Sequence, residues 1–295
     1  MWPWGLVGRH APKAFQRAKR YLPPIAVDLI RYFLAEWEYL PEGWFPRSPR
    51  RVGWNDPSVR DAQEKHWPVL VANLEGTGPL GVSHFPWVRT REDAGSHNAM
   101  MSYGYVLARV ARRKNTLSIL DWGGSAGHYY LYSKALLPEV GIEYHCHDVP
   151  LLCQLGRKLL PEVQFHEDPA VLLNRQYDLV LSSSSLHYFE DWREMARRLA
   201  GAAGESLYVA RLQTVRRAPS FVVVQRPYRS GGYQTEYLTW FLNRQEFVTC
   251  VEESGLELVR EFIFAEEWLV RGAPEKGASR GFLFRRRSSR GEGHD

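Results

Sequence analysis

Near the middle of the chain, Asp121-Trp122-Gly123-Gly124-Ser125-Ala126-Gly127 sets an acid ahead of small residues in the pattern D-x-G-x-S-x-G. The apolar run Leu117–Asp121 reads as a strand ending in that acid, and the residues up to about Leu137 read as a helix. A strand that passes through glycines into a helix lets a ligand approach the backbone closely. The dinucleotide pattern G-x-G-x-x-G fits no register of residues 121–129. A second acid, Asp148, stands in His147-Asp148-Val149-Pro150 at the end of the next predicted strand. A carboxylate at such a tip, about 20–25 residues after a glycine turn, can accept hydrogen bonds from both ribose hydroxyls. The following short strand ends at Glu167-Asp168. The fourth ends in Ser182, Ser183, Ser184 and Ser185 and continues into Leu186-His187-Tyr188, where catalytic groups of doubly wound sheets collect. His145, His147, Asp148 and His166 lie on neighbouring strands with chemistry suited to a metal. Strand histidines are more often packed and Asp148 has the better use above, so no metal is expected.

The elements that must position these residues follow from the sequence pattern. Predicted strands are Leu117–Asp121, Ile142–His147, Val163–His166, Tyr177–Ser183, Ser206–Leu212, Leu256–Ala265 and Gly281–Arg286. Helices are predicted at about Ser96–Arg113, after the glycine turn, over Leu151–Leu160 and over Asp191–Ala202. Asn243 with Glu246 forms a capping-box pattern that starts another helix, which Gly255 stops. Strands alternating with helices imply a mostly parallel sheet covered on both faces, and the closing pair implies an antiparallel hairpin at its edge. Ahead of this, Ile25, Leu29, Phe33, Trp37 and Leu40 recur at helical spacing and predict a helix over 25–40. Residues 41–57 read as loop. Asp56-Pro57 reads as the start of a helix that Pro68 kinks or ends.

The turn, the two acids and their spacing resemble class I S-adenosylmethionine-dependent methyltransferases, whose first motif is usually (D/E)-x-G-x-G-x-G. Ser125 replaces the middle glycine. The resemblance covers residues 97–295 and extends to a group of bacterial methyltransferases of unknown substrate, which share an LDWGG-type first motif and a segment like Phe221–Arg226. It implies a Rossmann-like α/β domain with a seven-stranded sheet and S-adenosylmethionine as cofactor. Asp121, Gly123, Gly124, Ser125, Gly127, Asp148, Asp168, Ser183 and Ser184 are the implied cofactor-binding residues. Asp168 falls where the family often places an acid near the adenine amino group. His187 falls where plant-type O-methyltransferases place their catalytic base, and equally where many relatives carry a histidine that only shapes the cofactor pocket. The chain has neither the Asn- or Asp-Pro-Pro-aromatic motif of amino-group base methylation nor the Pro-Cys of cytosine carbon-5 methylation, so nucleic acid is not an expected substrate. The resemblance therefore implies methyl transfer to a hydroxyl of a small molecule or glycan. The alternative is a non-catalytic protein that keeps the fold as a binding or assembly module, for which Ser125 leaves room.

The composition is that of a globular protein: 295 residues, 44% hydrophobic and 24% charged, with a net charge of +5. Three cysteines (Cys146, Cys153, Cys250) form no CxxC and suggest a reducing compartment. No uncharged apolar run reaches the roughly 18–20 residues of a membrane span. Met1–Val7 precedes its positive charges, unlike a signal peptide, so a soluble, cytoplasmic protein is expected. The organisation predicted is a helical and irregular cap (1–92), the Rossmann-like methyltransferase domain (93–287) and a disordered tail (288–295). Basic residues concentrate in Arg9–Arg20, Arg47–Arg51 and Arg285–Arg290. Lys13, Arg17, Lys19 and Arg20 raise contact with a membrane surface as a rival to the cap reading. Further polar candidates are His97-Asn98 and, for acceptor contacts, Gln225-Arg226 and Tyr228.

Overall fold

The computed structural model describes residues 35–45, 53–81, 94–228 and 232–287, with a few isolated positions between 22 and 32. Most of the basic N-terminal region, Arg47–Arg51 and the tail beyond residue 287 lie outside the described residues. In chain order the elements are β1 (Trp37–Leu40), α1 (Pro57–Glu75), α2 (Ala94–Val110), β2 (Thr116–Trp122), α3 (His128–Leu136), β3 (Gly141–His147), α4 (Pro150–Leu159) and β4 (Gln164–His166). Then come α5 (Ala170–Leu173), β5 (Tyr177–Ser183), α6 (Trp192–Ala202), β6 (Ala203–Val215), β7 (Phe221–Gln225), β8 (Tyr237–Asn243), α7 (Arg244–Glu253), β9 (Leu256–Trp268), β10 (Val270–Arg271) and β11 (Gly277–Arg286).

The main sheet runs β4-β3-β2-β5-β6, continued by β11 and then β9. Strands β2 to β6 pair in parallel, whereas β11 is antiparallel to both β6 and β9. This is the Rossmann-like arrangement expected from the sequence: seven strands, mostly parallel, with the last inserted antiparallel beside the edge. Because β2 is central, the chain leaves it first towards β3 and β4, then returns to its other side for β5. That reversal opens a crevice at the strands' carboxyl ends. Strand alternation divides the core. Leu117, Ile119, Leu179 and Leu181 pack with Met100, Tyr103 and Tyr129 on one face. Leu120, Trp122 and Val180 pack with Leu199 and Phe247 on the other.

Among the described residues four further strands extend the sheet, none of them among the predicted strands. Strands β7 and β8 form an antiparallel pair, β1 adds to β7, β10 adds to β1, and β8 joins the far end of β6 through Thr214 and Val215. The predicted helix over 25–40 is therefore corrected at its end. Residues 37–40 are a strand, because β7 offers an open edge and Trp37 and Leu40 are buried there. Nor does Pro68 end its helix: α1 runs 19 residues through it. Trp67 and Leu70 pack against the core on either side of Pro68, and that packing outweighs the backbone bond the proline cannot make. At α7, Asn243 caps the N–H groups of Gln245 (2.9 Å) and Glu246 (3.2 Å) as its pattern predicts. The Glu246 carboxylate, however, accepts from Ser220 Oγ (3.0 Å) and Arg193 (2.5 Å), so it ties the helix start to tertiary neighbours.

Trp37 is the buried aromatic anchor of β1. Its ring meets Phe241 edge-on (5.7 Å between centroids) and Trp268 at 5.2 Å. Trp37→Ala is expected to cost about 3 kcal/mol of unfolding free energy, read by urea denaturation. A loss below about 1 kcal/mol would show that β1 is not part of the cooperative fold.

Candidate functional site

The turn after β2 is built by three left-handed residues: Gly123 (φ 72°), Ser125 (φ 58°) and Gly127 (φ 85°). The N–H groups of Gly123 and Gly124 both reach the His147 carbonyl, at 2.8 and 3.2 Å, which clamps the turn to the end of β3. A Cβ on Gly123 would lie 2.3 Å from Ser185 Cβ, and one on Gly124 would lie 2.2 Å from Asp121 Oδ2. The glycines are thus required by close packing against β5 and the buried acid. Ser125 takes a left-handed conformation that costs a non-glycine residue about 1–2 kcal/mol. Three contacts hold it there. Its N–H donates to Asp148 Oδ2 (2.7 Å), its hydroxyl donates to Gln63 Oε1, and its carbonyl accepts from the Cys146 thiol (3.7 Å).

Two carboxyl groups lie under and beside this turn. Asp121 has no exposed surface. The Tyr144 hydroxyl donates to its Oδ2 at 2.6 Å, while Oδ1 has no partner. Burial pushes its pKa up to about 7; the Tyr144 bond opposes the shift and the nearby Asp148 charge adds to it. Asp148, half-buried at the tip of β3, receives the N–H of Val149 (2.7 Å) as well as that of Ser125. Burial still raises it to about 6 against those two bonds.

Across the crevice, the end of β5 is fastened to the turn. Ser185 Oγ donates to the Trp122 carbonyl (2.6 Å) and lies 2.7 Å from Ser182 Oγ. Ser183 Oγ pairs with the Tyr129 hydroxyl at 2.8 Å. Ser184 (φ 55°) donates its N–H to the Ala210 carbonyl (2.9 Å), and Arg211 (φ 53°) follows in β6. There the ladder shifts, with Ala210 and Arg211 facing the single residue Gly281. This bulge turns the Arg211 guanidinium towards Ser96 at the start of α2, 3.2 Å away. Of the four left-handed non-glycine residues among those described, Ser125, Ser184 and Arg211 therefore sit together at the carboxyl edge, and only Arg113 lies elsewhere. Backbone strain of this kind gathers at functional sites.

The structure brings Asp121, Gly123, Gly124, Ser125, Gly127, Asp148, Ser183 and Ser184 to this one edge. Asp168 follows the end of β4, exposed, with its carboxylate accepting the Ala170 N–H (2.9 Å). His187, which the resemblance places either as a base or as a residue shaping the cofactor pocket, lies in the short turn Leu186–Tyr188 after β5. It is wholly enclosed, neither ring nitrogen has a partner, and burial alone lowers its pKa to about 3. An imidazole whose conjugate acid is that strong is a weak proton acceptor near neutral pH. His145 pairs with His166 (3.3 Å) and Glu143 (3.0 Å), His147 bonds the His166 carbonyl (2.9 Å), and among the described residues no group of His, Cys, Asp and Glu could hold a metal ion. His97 meets the Leu80 carbonyl at 3.0 Å. Arg226 and Tyr228 serve an ionic network with Glu38 and Glu236, and Gln225 accepts from the Tyr188 hydroxyl. Gln63 and Arg211 are not marked by the sequence, and Ser185 is marked only as part of the serine run after β5. The serine in a glycine position was the one available sign that a partner such as Gln63 was needed.

No protein-family model matches this sequence, and no curated protein matches it. Solved structures do. Magnesium protoporphyrin IX methyltransferase from Synechocystis PCC 6803, with S-adenosylmethionine bound, is 13% identical with a TM-score of 0.45, over 80% of this chain and 100% of its own. A S-adenosylmethionine-dependent methyltransferase from Clostridium acetobutylicum ATCC 824 is 9% identical with a TM-score of 0.44, over 64% and 92%. The cyclase SpnF is 11% identical with a TM-score of 0.46, over 78% and 97%. These are likenesses of fold.

The perturbed groups set opposite pH dependences. The folded pKa values of Asp121 and Asp148 are raised from 3.8, so the stability they contribute is present below pH 4 and lost as pH rises through about 6 to 7. His187 is lowered from 6.5, so its contribution is present above pH 6.5 and lost as pH falls towards 3. Asp121→Asn keeps an oxygen for Tyr144 but cannot ionise. It is expected to flatten the decline in unfolding free energy between pH 4.5 and 8, measured by urea titration at each pH. An unchanged slope would mean that Asp121 does not titrate in this range.

Proposed function

We propose that this chain is a S-adenosylmethionine-dependent methyltransferase acting on a hydroxyl of a small molecule or glycan. The observation that carries the reading is the position of Asp148. It stands on the strand next to the glycine turn, is bonded to that turn through the Ser125 N–H, and lies at the edge where the strand order reverses. The residues suit the cofactor. Each oxygen of the Asp148 carboxylate spends one lone pair on a backbone N–H and keeps another, enough for two ribose hydroxyls. Asp121 and Asp148 add negative charge beside the turn, which favours a cation. When bound, the cofactor supplies a methyl group on a positively charged sulfur.

The chain's own part is to bind and align. Asp148 holds the ribose. Gly123, Gly124, Ser125 and Gly127 shape the floor, Asp121 supports it from below, and Ser183 and Ser184 form the opposite rim. Asp168, at the end of β4, is assigned to the adenine side. Alignment of this kind supplies much of the catalysis of an in-line displacement. We assign His187 to the pocket wall instead of the base role, since its ring is wholly enclosed and burial makes it a weak proton acceptor. The proton of an acceptor hydroxyl then leaves by another route. We infer that the segment ahead of β2, through α1, covers the acceptor side. No helix among the described residues is long and apolar enough to cross a membrane.

Calorimetry with S-adenosylmethionine and S-adenosylhomocysteine tests the reading. Micromolar binding is expected, and absence of binding would favour the non-catalytic module. Asp148→Ala removes the charged acceptor for two hydroxyls, worth about 1.5–3 kcal/mol, so affinity should fall roughly 10- to 150-fold. Unchanged affinity would remove Asp148 from the site. His187→Gln should leave the pH dependence of turnover between pH 6 and 8 unaltered in shape. Loss of an inflection near 6.5 would restore the histidine as base.

A further inference from the structure

We propose that Gln63 is a positioning residue that compensates for the serine in the glycine turn, holding Ser125 in the backbone conformation that lets its N–H reach Asp148. The proposal rests on the cofactor reading only for the meaning of that turn; the coupling between the two residues belongs to the fold. Ser125 is left-handed without being glycine, so its conformation relies on the contacts that hold it, two through its backbone and one through its side chain. The side-chain contact is the hydroxyl bond to Gln63 Oε1, between residues 9% and 8% exposed, where water competes little.

Gln63 can do this because α1 is fixed from several directions. Asp56 caps its first turn (2.9 Å), and Asn55 Oδ1 accepts the Leu151 N–H at the start of α4 (3.2 Å). Glu64, adjacent to Gln63, pairs with Lys158 on α4 (2.6 Å). Ahead of the helix, Trp54 stacks on Tyr237 (4.5 Å), Ser58 Oγ accepts the Gln234 N–H (2.8 Å), and Thr235 Oγ1 donates to the Gly53 carbonyl (3.1 Å). The helix is thereby pinned to both α4 and the segment before β8, and its buried glutamine is presented to the turn at a set distance. A chain with glycine at position 125 would reach the same φ without help. The serine thus makes the binding turn depend on the cap.

A double-mutant cycle separates this role from a general packing role. Gln63→Met keeps length and apolar volume but removes the acceptor. Ser125→Ala cuts the same bond from the other end, and Ser125→Gly removes the need for it. Two readouts are taken: affinity for S-adenosylhomocysteine by calorimetry, and exchange of the residue-125 amide in the free protein. Gln63→Met and Ser125→Ala are each expected to weaken binding about tenfold and to speed exchange. Added to Ser125→Gly, Gln63→Met should change affinity and exchange by less than about twofold. Equal losses in both backgrounds would mean that Gln63 acts by direct contact or by packing, and no loss in either would mean that it positions nothing; both overturn the proposal. If the parent fails to bind S-adenosylhomocysteine, the cofactor reading falls, while the exchange rates still decide the role of Gln63.

Discussion

A carboxyl group with no exposed surface governs the carboxyl edge of the sheet. Asp121 ends the central strand beneath the turn, and Gly124 passes so close to it that a methyl group would not fit. Its one bonded oxygen faces Tyr144 on the next strand. Burying an acid with a single hydrogen bond is unfavourable for the ionised form, so the site is poised between protonation states near neutrality. The turn, the tip of β3 and the end of β5 all close over that group, through the His147 carbonyl and Ser185.

Strain at this edge is distributed over three neighbouring strands. Ser125, Ser184 and Arg211 each take a conformation that glycine would adopt freely, and each is held by specific bonds. Such positions persist only where the surroundings determine them, which ties the edge's geometry to distant parts of the chain. One tie is α1, whose Gln63 is bonded to Ser125. Another is the bulge in β6, which exists because β11 runs antiparallel beside it and skips a residue.

The added strands belong to the same economy of edges. Strand β6 runs beyond the parallel sheet, and its free end would present unpaired backbone groups. The pair β7 and β8 takes up that end, and β1 and β10 then cover β7. In this way the segment before α1 and the insertion after β6 meet, with Trp54, Tyr188, Tyr233 and Tyr237 packed between them.

The sequence by itself determined the succession of strands and helices along the parallel part of the sheet and the local signals of the site. Alternation of apolar strands with helices, the acid-tipped strands and the glycine turn are written in adjacent residues, with periods of two and 3.6 that need no partner to be read. Asn243 as a cap and Gly255 as a stop are legible for the same reason. Tertiary structure alone decided what depends on contact between distant residues. Trp37–Leu40 became a strand because β7 had an edge to fill, against its own helical spacing. His187 sits at the predicted strand end but inside the core, which no local pattern records. Gln63 lies 62 residues before Ser125, in a helix that Asp56-Pro57 announced but whose partner no local pattern names. A local pattern states which groups a segment can offer; only packing decides which of them meet, because burial and pairing energies belong to both partners at once.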